Sequence, residues 1–101
     1  MGIDVVLEDG DGTPIQECHD PKRLFARFLE GRDLSSTCCL RFIDPFGDTV
    51  FNRAQAAVLL EELSSIRSHA DASTRKCIDN AIRLARLASR KAHLYVRFVG
   101  D

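Results

Sequence analysis

His-Leu-Tyr-Val-Arg-Phe-Val at residues 93–99 is the stretch that does most to decide the fold. Leu94, Val96 and Phe98 alternate with the residues between them, which is the period-two pattern of a strand with one buried face. Residues 3–7, Ile-Asp-Val-Val-Leu, show the same alternation near the other end of the chain. Because both segments are apolar enough to be buried, we predict that this last strand is central or lies next to the first.

A hairpin and a short helix are predicted to follow the first strand. Asp-Gly-Asp-Gly at residues 9–12 supplies turn residues, and residues 13–18 then form the second strand of a β-hairpin. Pro14 places that strand at a sheet edge, because proline cannot donate to a ladder. Asp20 is predicted to cap a helix over residues 21–30, whose first residue is a proline.

The middle of the chain is predicted to contain a third strand, a turn and a second helix. Residues 38–43 have the apolar content of a strand. Residues 44–47, Asp-Pro-Phe-Gly, have the residue preferences of a type I turn, so the chain reverses there. Asn52 begins the second helix, with Gln55 three positions later completing a capping box.

A third helix is predicted to begin at Asp71 or Ser73. Its polar face carries Arg83, Arg86 and Arg90 at helical spacing. These arginines could meet phosphates or an acidic protein. We favour instead a solvated face whose positive charges stabilise the negative end of the helix.

The predicted order of elements is therefore β-β-α-β-α-α-β, which belongs to the α+β class. We predict a two-layer sandwich in which a mostly antiparallel sheet of about four strands carries the helices on one face. The chain has no internal repeat, low-complexity segment or linker. Residues 1–101 are accordingly predicted to form a single domain.

The composition limits the classes of function. A net charge of −1 over 101 residues gives no general attraction to nucleic acid or to an anionic membrane. The longest apolar run, residues 56–60, is far too short to span a bilayer, and the amino terminus does not have the pattern of a secretory signal. We therefore predict a cytoplasmic protein with no membrane partner, for which nucleic-acid binding is disfavoured.

Polar side chains crowd the segment around the predicted turn. Asp44, Asp48, Thr49 and Asn52 bring several oxygens close together, a group that can bind a cation or a basic side chain. Each of them also has a structural explanation in a turn or a helix cap. Asp101 is a further candidate for contacting a basic partner. The sequence leaves both explanations open.

The cysteines and histidines do not form a recognisable metal or catalytic motif. Cys18, Cys38, Cys39 and Cys77 are expected to be reduced thiols, because nothing in the sequence indicates secretion. The adjacent pair of cysteines lacks the spacer that zinc ligands need. The sequence also lacks a glycine-rich phosphate loop and a nucleophile elbow. We therefore predict no metal and no cofactor, and we favour a non-enzymatic role.

Two short blocks of the chain resemble a family of small stand-alone bacterial proteins of uncharacterised function. The blocks are Ile-Asp-Pro-Phe-Gly-Asp-Thr-Val-Phe-Asn at residues 43–52 and Leu-Tyr-Val-Arg-Phe-Val-Gly-Asp at residues 94–101. The resemblance implies no catalytic residues. In size and mixed fold such proteins are also similar to immunity proteins, which neutralise a toxin by covering its active site. Likeness at the level of fold does not establish function.

The sequence favours a non-enzymatic protein–protein interaction module of bacterial origin, with an immunity-type inhibitor as one form. Its acidic turn would engage a basic partner protein, since complementary charge steers and orients such encounters. Two alternatives stay open. One is a small enzyme or ligand-sensing domain with a Cys/His pocket, and the other is a homodimeric structural protein that pairs through a sheet edge or an alanine-rich helix face.

Overall fold

The computed structural model describes residues 2–100, which contain four strands and three helices. The strands are β1 (Ile3–Asp9), β2 (Pro14–Cys18), β3 (Asp48–Phe51) and β4 (Leu94–Gly100). The helices are α1 (Leu24–Glu30), α2 (Arg53–Ile66) and α3 (Ala72–Arg90), and short 3₁₀ turns span Leu40–Phe42 and Arg67–His69. The predicted order β-β-α-β-α-α-β is confirmed.

The strands form an antiparallel sheet in the order β2-β1-β4-β3. In the central pair, Val5 lies opposite Phe98 and Leu7 lies opposite Val96, and all four side chains face the buried core. The helices cover this face of the sheet. The predicted α+β two-layer sandwich is therefore confirmed, and so is the position of the last strand beside the first.

Aromatic and alanine side chains fill the space between the two layers. The ring of Phe98 lies 6.2 Å from that of Phe25 and 5.7 Å from that of Phe51, with an edge-to-face arrangement in the second pair. On α3, Ala81 and Ala85 are fully buried. Their small side chains allow this long helix to approach the sheet and α2 closely.

The prediction of a third strand at residues 38–43 is wrong, because β3 lies further along the chain at Asp48–Phe51. The carboxylate of Glu62 on α2 accepts the N–H groups of residues 38–40 at 2.6, 3.0 and 3.0 Å. Those donors are consequently not available to a strand ladder. Leu40 and Ile43 are buried at a spacing of three residues, which suits a 3₁₀ turn better than a strand.

Helix α1 begins at Leu24, three residues later than predicted. Asp20 nevertheless caps it, because its carboxylate accepts the N–H groups of Phe25 and Ala26 at 3.2 and 3.1 Å. The intervening residues make a separate turn, which ends at Arg23 with a left-handed φ of 57°. A cap can therefore act across a turn that sequence periodicity does not show.

Candidate functional site

Hydrogen bonds within the segment fix the acidic turn, residues 44–48. The N–H of Asp44 donates to Oγ1 of Thr49 at 3.0 Å, and that hydroxyl donates to the carbonyl of Phe42 at 3.3 Å. The N–H of Phe46 donates to Oδ1 of Asp44 at 2.8 Å, which makes an Asx turn. Asp44 and Thr49 thus both hold the shape of the turn.

The end of β4 anchors the acidic turn from outside. The N–H of Gly100 donates to the carbonyl of Gly47 at 2.8 Å. A Cβ atom at Gly100 would lie 2.5 Å from the carbonyl oxygens of Asp44 and Pro45, closer than real Cβ atoms approach. The turn packs against β4 at this distance only because Gly100 has no side chain.

Asp48 is paired within the protein. Its Oδ2 accepts Nη1 of Arg97 at 2.9 Å, while Nε and Nη2 of Arg97 donate to the two oxygens of Glu8 at 3.0 Å each. The hydrogen bond with Glu8, followed by the charges of both acids, raises the pKa of Arg97. The Glu8 side chain is only 7% exposed and that of Asp48 is 49% exposed. Arg97 therefore compensates a buried acid first and an exposed acid second.

Asn52 serves as the cap of α2. Its Oδ1 accepts the N–H of Gln55 at 2.9 Å, and Oε1 of Gln55 accepts the N–H of Asn52 at 3.0 Å. This reciprocal pair is the predicted capping box, which is confirmed. Asn52 consequently stabilises the start of α2, directly after β3. Asp101, the remaining acidic candidate, lies outside the described residues.

The basic helix face lies away from the acidic turn. Arg83, Arg86 and Arg90 are all exposed on α3. Arg83 donates to Oε1 of Gln16 and to Sγ of Cys18, the latter at 3.4 Å, so this face borders β2. Because β2 and β3 are opposite edges of the sheet, the structure does not bring the two charged candidates together.

Exposed apolar side chains surround the acidic turn, and sequence reasoning missed them. Phe42 is 59% exposed, Phe46 is 78% exposed and Val50 is 42% exposed. We name residues 42–50 the edge segment, since they run from the 3₁₀ turn into the edge strand β3. The available signal was Phe46 within a tight turn, because such a turn lies at the surface. Phe42 lies in the predicted third strand at residues 38–43, which does not form.

The open face of the sheet, opposite the helices, is acidic. Strand register and alternation place Asp4, Glu8, Glu17 and Asp48 on this face. Among the strand residues described, Arg97 is the only arginine or lysine there. The open face thus continues the negative charge of the acidic turn across the sheet.

Two of the four thiols, those of Cys39 and Cys77, do not show the features of an activated nucleophile. Burial raises the pKa of Cys39, and the negative charge of Glu62 raises it further. Burial also raises the pKa of Cys77, with the charge of Asp20 adding to the effect. A raised pKa keeps a thiol protonated, whereas catalysis requires the thiolate.

The histidine next to Cys18 is engaged elsewhere. Nδ1 of His19 lies 3.1 Å from Oδ2 of Asp4, and this hydrogen bond raises the pKa of His19. Cys18 contacts Arg83 on the helical side of the sheet, so the two neighbours do not share a pocket. Within residues 2–100, no group of three or more His, Cys, Asp or Glu side chains is arranged to hold a metal ion.

Comparison with known proteins adds no relative: no protein family, no curated protein and no solved structure matches the chain. In the described part of the chain, none of the helices combines the length and the apolar character needed to cross a membrane. The functional argument therefore depends on the geometry of the edge segment and its surroundings.

Proposed function

We propose that this chain is a non-enzymatic, protein-binding module of bacterial origin, and that the edge segment is its recognition surface. The observation that carries the proposal is the exposure of Phe42 and Phe46 on a backbone that is already fixed by hydrogen bonds. Exposed aromatic side chains that form a patch commonly mark an interaction site. We place the encounter in the bacterial cytoplasm, as the sequence predicts.

The rigidity of the edge segment supports this role. Thr49 and Gly100 fix the backbone on either side of Phe46, so little conformational entropy is lost when a partner binds. The guanidinium carbon of Arg41 lies 4.7 Å from the centre of the Phe42 ring. Aromatic and arginine side chains are the types enriched among the residues that dominate binding energy.

The charge of this region supports a basic partner. Asp44 forms no ion pair within residues 2–100, and the open face of the sheet carries an excess of carboxylates. Such a surface steers a positively charged protein and repels an acidic one. An inhibitor of the immunity type, which covers the basic active site of a toxin, is one form that meets these requirements.

Photo-crosslinking tests the proposal. A photo-reactive phenylalanine analogue at position 46 is expected to capture a basic protein, which is then identified, purified and titrated against the intact chain. Phe42→Ser combined with Phe46→Ser should weaken this binding by about a hundredfold or more, because aromatic anchors contribute about 2 kcal/mol or more each. Asp44→Asn should slow association more at low salt than at high salt.

Ile15→Ser is the matched control for this experiment. Ile15 is 50% exposed on β2, at the opposite edge of the sheet, so its loss removes a similar apolar surface elsewhere. Equal loss of binding in the control and in the double variant would contradict the proposed surface. Capture of a second copy of the chain, with a dimer mass in solution, would support the homodimer alternative instead.

A further inference from the structure

A cleft of about 190 Å³ opens between α1, the loop that follows it and the 3₁₀ turn at Leu40–Phe42. Its walls are mainly apolar and come from distant parts of the chain: Ile3, Ala26, Leu29, Leu40 and Ile43. Pockets for drug-sized ligands or cofactors usually measure about 300–1,000 Å³. This cleft is therefore suited to a small apolar group, such as one aliphatic side chain.

Two arginines, Arg32 and Arg41, line the cleft. The guanidinium carbon of Arg32 lies 5.1 Å from the centre of the Phe28 ring, and that of Arg41 lies over Phe42. Within residues 2–100, neither arginine forms an ion pair. Aromatic contacts hold both groups in place while their N–H donors stay available.

The acidic groups near the cleft are already engaged. Glu30, which also lines it, accepts Nη2 of Arg23 at 3.0 Å. Glu62 is close enough for the charge of Arg41 to affect its pKa, but its two oxygens accept three backbone N–H groups. Within residues 2–100, Arg32 and Arg41 thus keep guanidinium N–H groups that no carboxylate accepts.

We infer that this cleft binds a small apolar carboxylate. The hydrocarbon part occupies the space between Leu29, Leu40 and Ile43, and the carboxylate accepts hydrogen bonds from Arg32 and Arg41 at the rim. Two natural sources share this chemistry: a free short-chain carboxylic acid and the carboxyl-terminal residue of a peptide with an aliphatic side chain.

The inference does not depend on the proposed protein-binding surface. Arg41, Ile43 and Pro45 line the cleft, and the last two also belong to the edge segment, where they alternate with Phe42, Asp44 and Phe46. The two surfaces consequently share one stretch of backbone but use alternate side chains. Arg32→Gln and Phe46→Ser therefore test the two surfaces separately, whereas Arg41 and Phe42 contact each other and their variants affect both.

Titration of the isotope-labelled full chain, followed by backbone amide NMR shifts, tests the inference. Hexanoate is expected to bind saturably with a Kd of about 1 mM, a reasonable affinity for so few heavy atoms, and to shift the amides of Ala26, Leu29 and Leu40. Hexanamide, which has the same carbon chain but no charge, should bind at least about tenfold more weakly.

Substitution of the arginines gives the second arm. Arg32→Gln combined with Arg41→Gln should weaken hexanoate at least about tenfold, while Arg86→Gln, an exposed arginine on α3, should leave it unchanged. Arg41→Gln alone is the fallback if the double variant does not fold, since Arg41 is exposed. Its expected loss is about threefold or more.

The source of the carboxylate is distinguished by N-acetyl-leucine, a mimic of a peptide terminus, with N-acetyl-leucinamide as its neutral control. Tighter binding of N-acetyl-leucine than of hexanoate assigns the cleft to a peptide terminus, and the reverse order assigns it to a free acid. The inference is overturned if neither acid saturates at about 20 mM. It is also overturned if the neutral amides bind as tightly as the acids, or if the arginine variants bind like the original chain.

Discussion

Two Asp-Pro sequences in this chain have opposite roles. Asp20, before Pro21, is 3% exposed, and its carboxylate accepts the N–H groups of Ile3, Phe25 and Ala26. Asp44, before Pro45, is exposed, and its carboxylate accepts one N–H, two residues further along the chain. The first aspartate joins β1 to α1, whereas the second shapes only its own turn.

The difference shows that an Asp-Pro dipeptide does not by itself determine whether its aspartate is buried or exposed. Proline fixes the local backbone in both places, and aspartate accepts a nearby N–H in both. Only at Asp20 do two further elements approach with unsatisfied donors. The acids that stabilise the fold and the acids that are available to a partner are therefore separated by tertiary surroundings.

Loss of the buried aspartate should have the largest effect. Asp20→Ala leaves three backbone N–H groups without an acceptor, two of them in the first turn of α1. We expect the free energy of unfolding to fall by about 3 kcal/mol or more, measured by urea denaturation. Asp44→Ala, the matched control, removes one exposed hydrogen bond and should cost under about 1 kcal/mol. Similar losses of unfolding free energy in the two variants would contradict the different roles assigned to Asp20 and Asp44.

A substitution at Gly100, in the strand that contacts the acidic turn, should have an intermediate effect on the free energy of unfolding. Gly100→Ala places a Cβ atom 2.5 Å from backbone oxygens at Asp44 and Pro45, which cannot move without displacing the turn. We expect a loss of roughly 2 kcal/mol in the free energy of unfolding. Gly47→Ala is the control, because its Cβ would meet the mobile carboxylate of Asp44 at 2.8 Å and should cost within about 1 kcal/mol. The reverse order of the two losses would mean that β4 does not anchor the turn.

The smallest predicted effect is the dependence of stability on pH at Glu62, which accepts three N–H groups but is only partly buried. Burial raises its pKa, but the bonds from residues 38–40 and the charge of Arg41 outweigh this and lower it. Its contribution is therefore present above the ordinary value of 4.5 and is lost as the pH falls through the lower folded value. Thermal unfolding should show a smaller loss below pH 4.5 in Glu62→Gln than in the original chain.

His19 provides a contrast in sign for that measurement. Its pKa is raised by Asp4, so its contribution is present at low pH and is lost as the pH rises through the raised folded value. His19→Gln should consequently leave the acid limb of the stability profile almost unchanged. An identical acid limb for Glu62→Gln and the original chain would refute the role assigned to Glu62.

Much of the fold follows from signals between neighbouring residues. The alternation at residues 94–98 and the capping box of Asn52 with Gln55 appear in the structure as predicted, and of the two predicted starts of α3 the structure has Asp71. Each depends on side chains and backbone groups a few positions apart. These interactions form in the same way whatever the rest of the chain does, so the sequence is sufficient to predict them.

The site was less predictable because its decisive contacts join distant segments. Asp48 was a candidate for a partner, but it bonds to Arg97, 49 positions along the chain. The exposure of Phe42 also cannot be derived from its own neighbours. It depends on the position of the edge segment at β3, an edge strand of the folded sheet.

The sequence by itself determined the order of the elements, the cap of α2 and the alternation of the central strands. Only the tertiary structure decided that β3 lies at residues 48–51, that Asp20 is buried and that Phe42 remains exposed. The physical reason is the range of the interactions. Caps and periodicity are satisfied within one turn of backbone, whereas burial and ladder hydrogen bonds require partners that folding alone brings together.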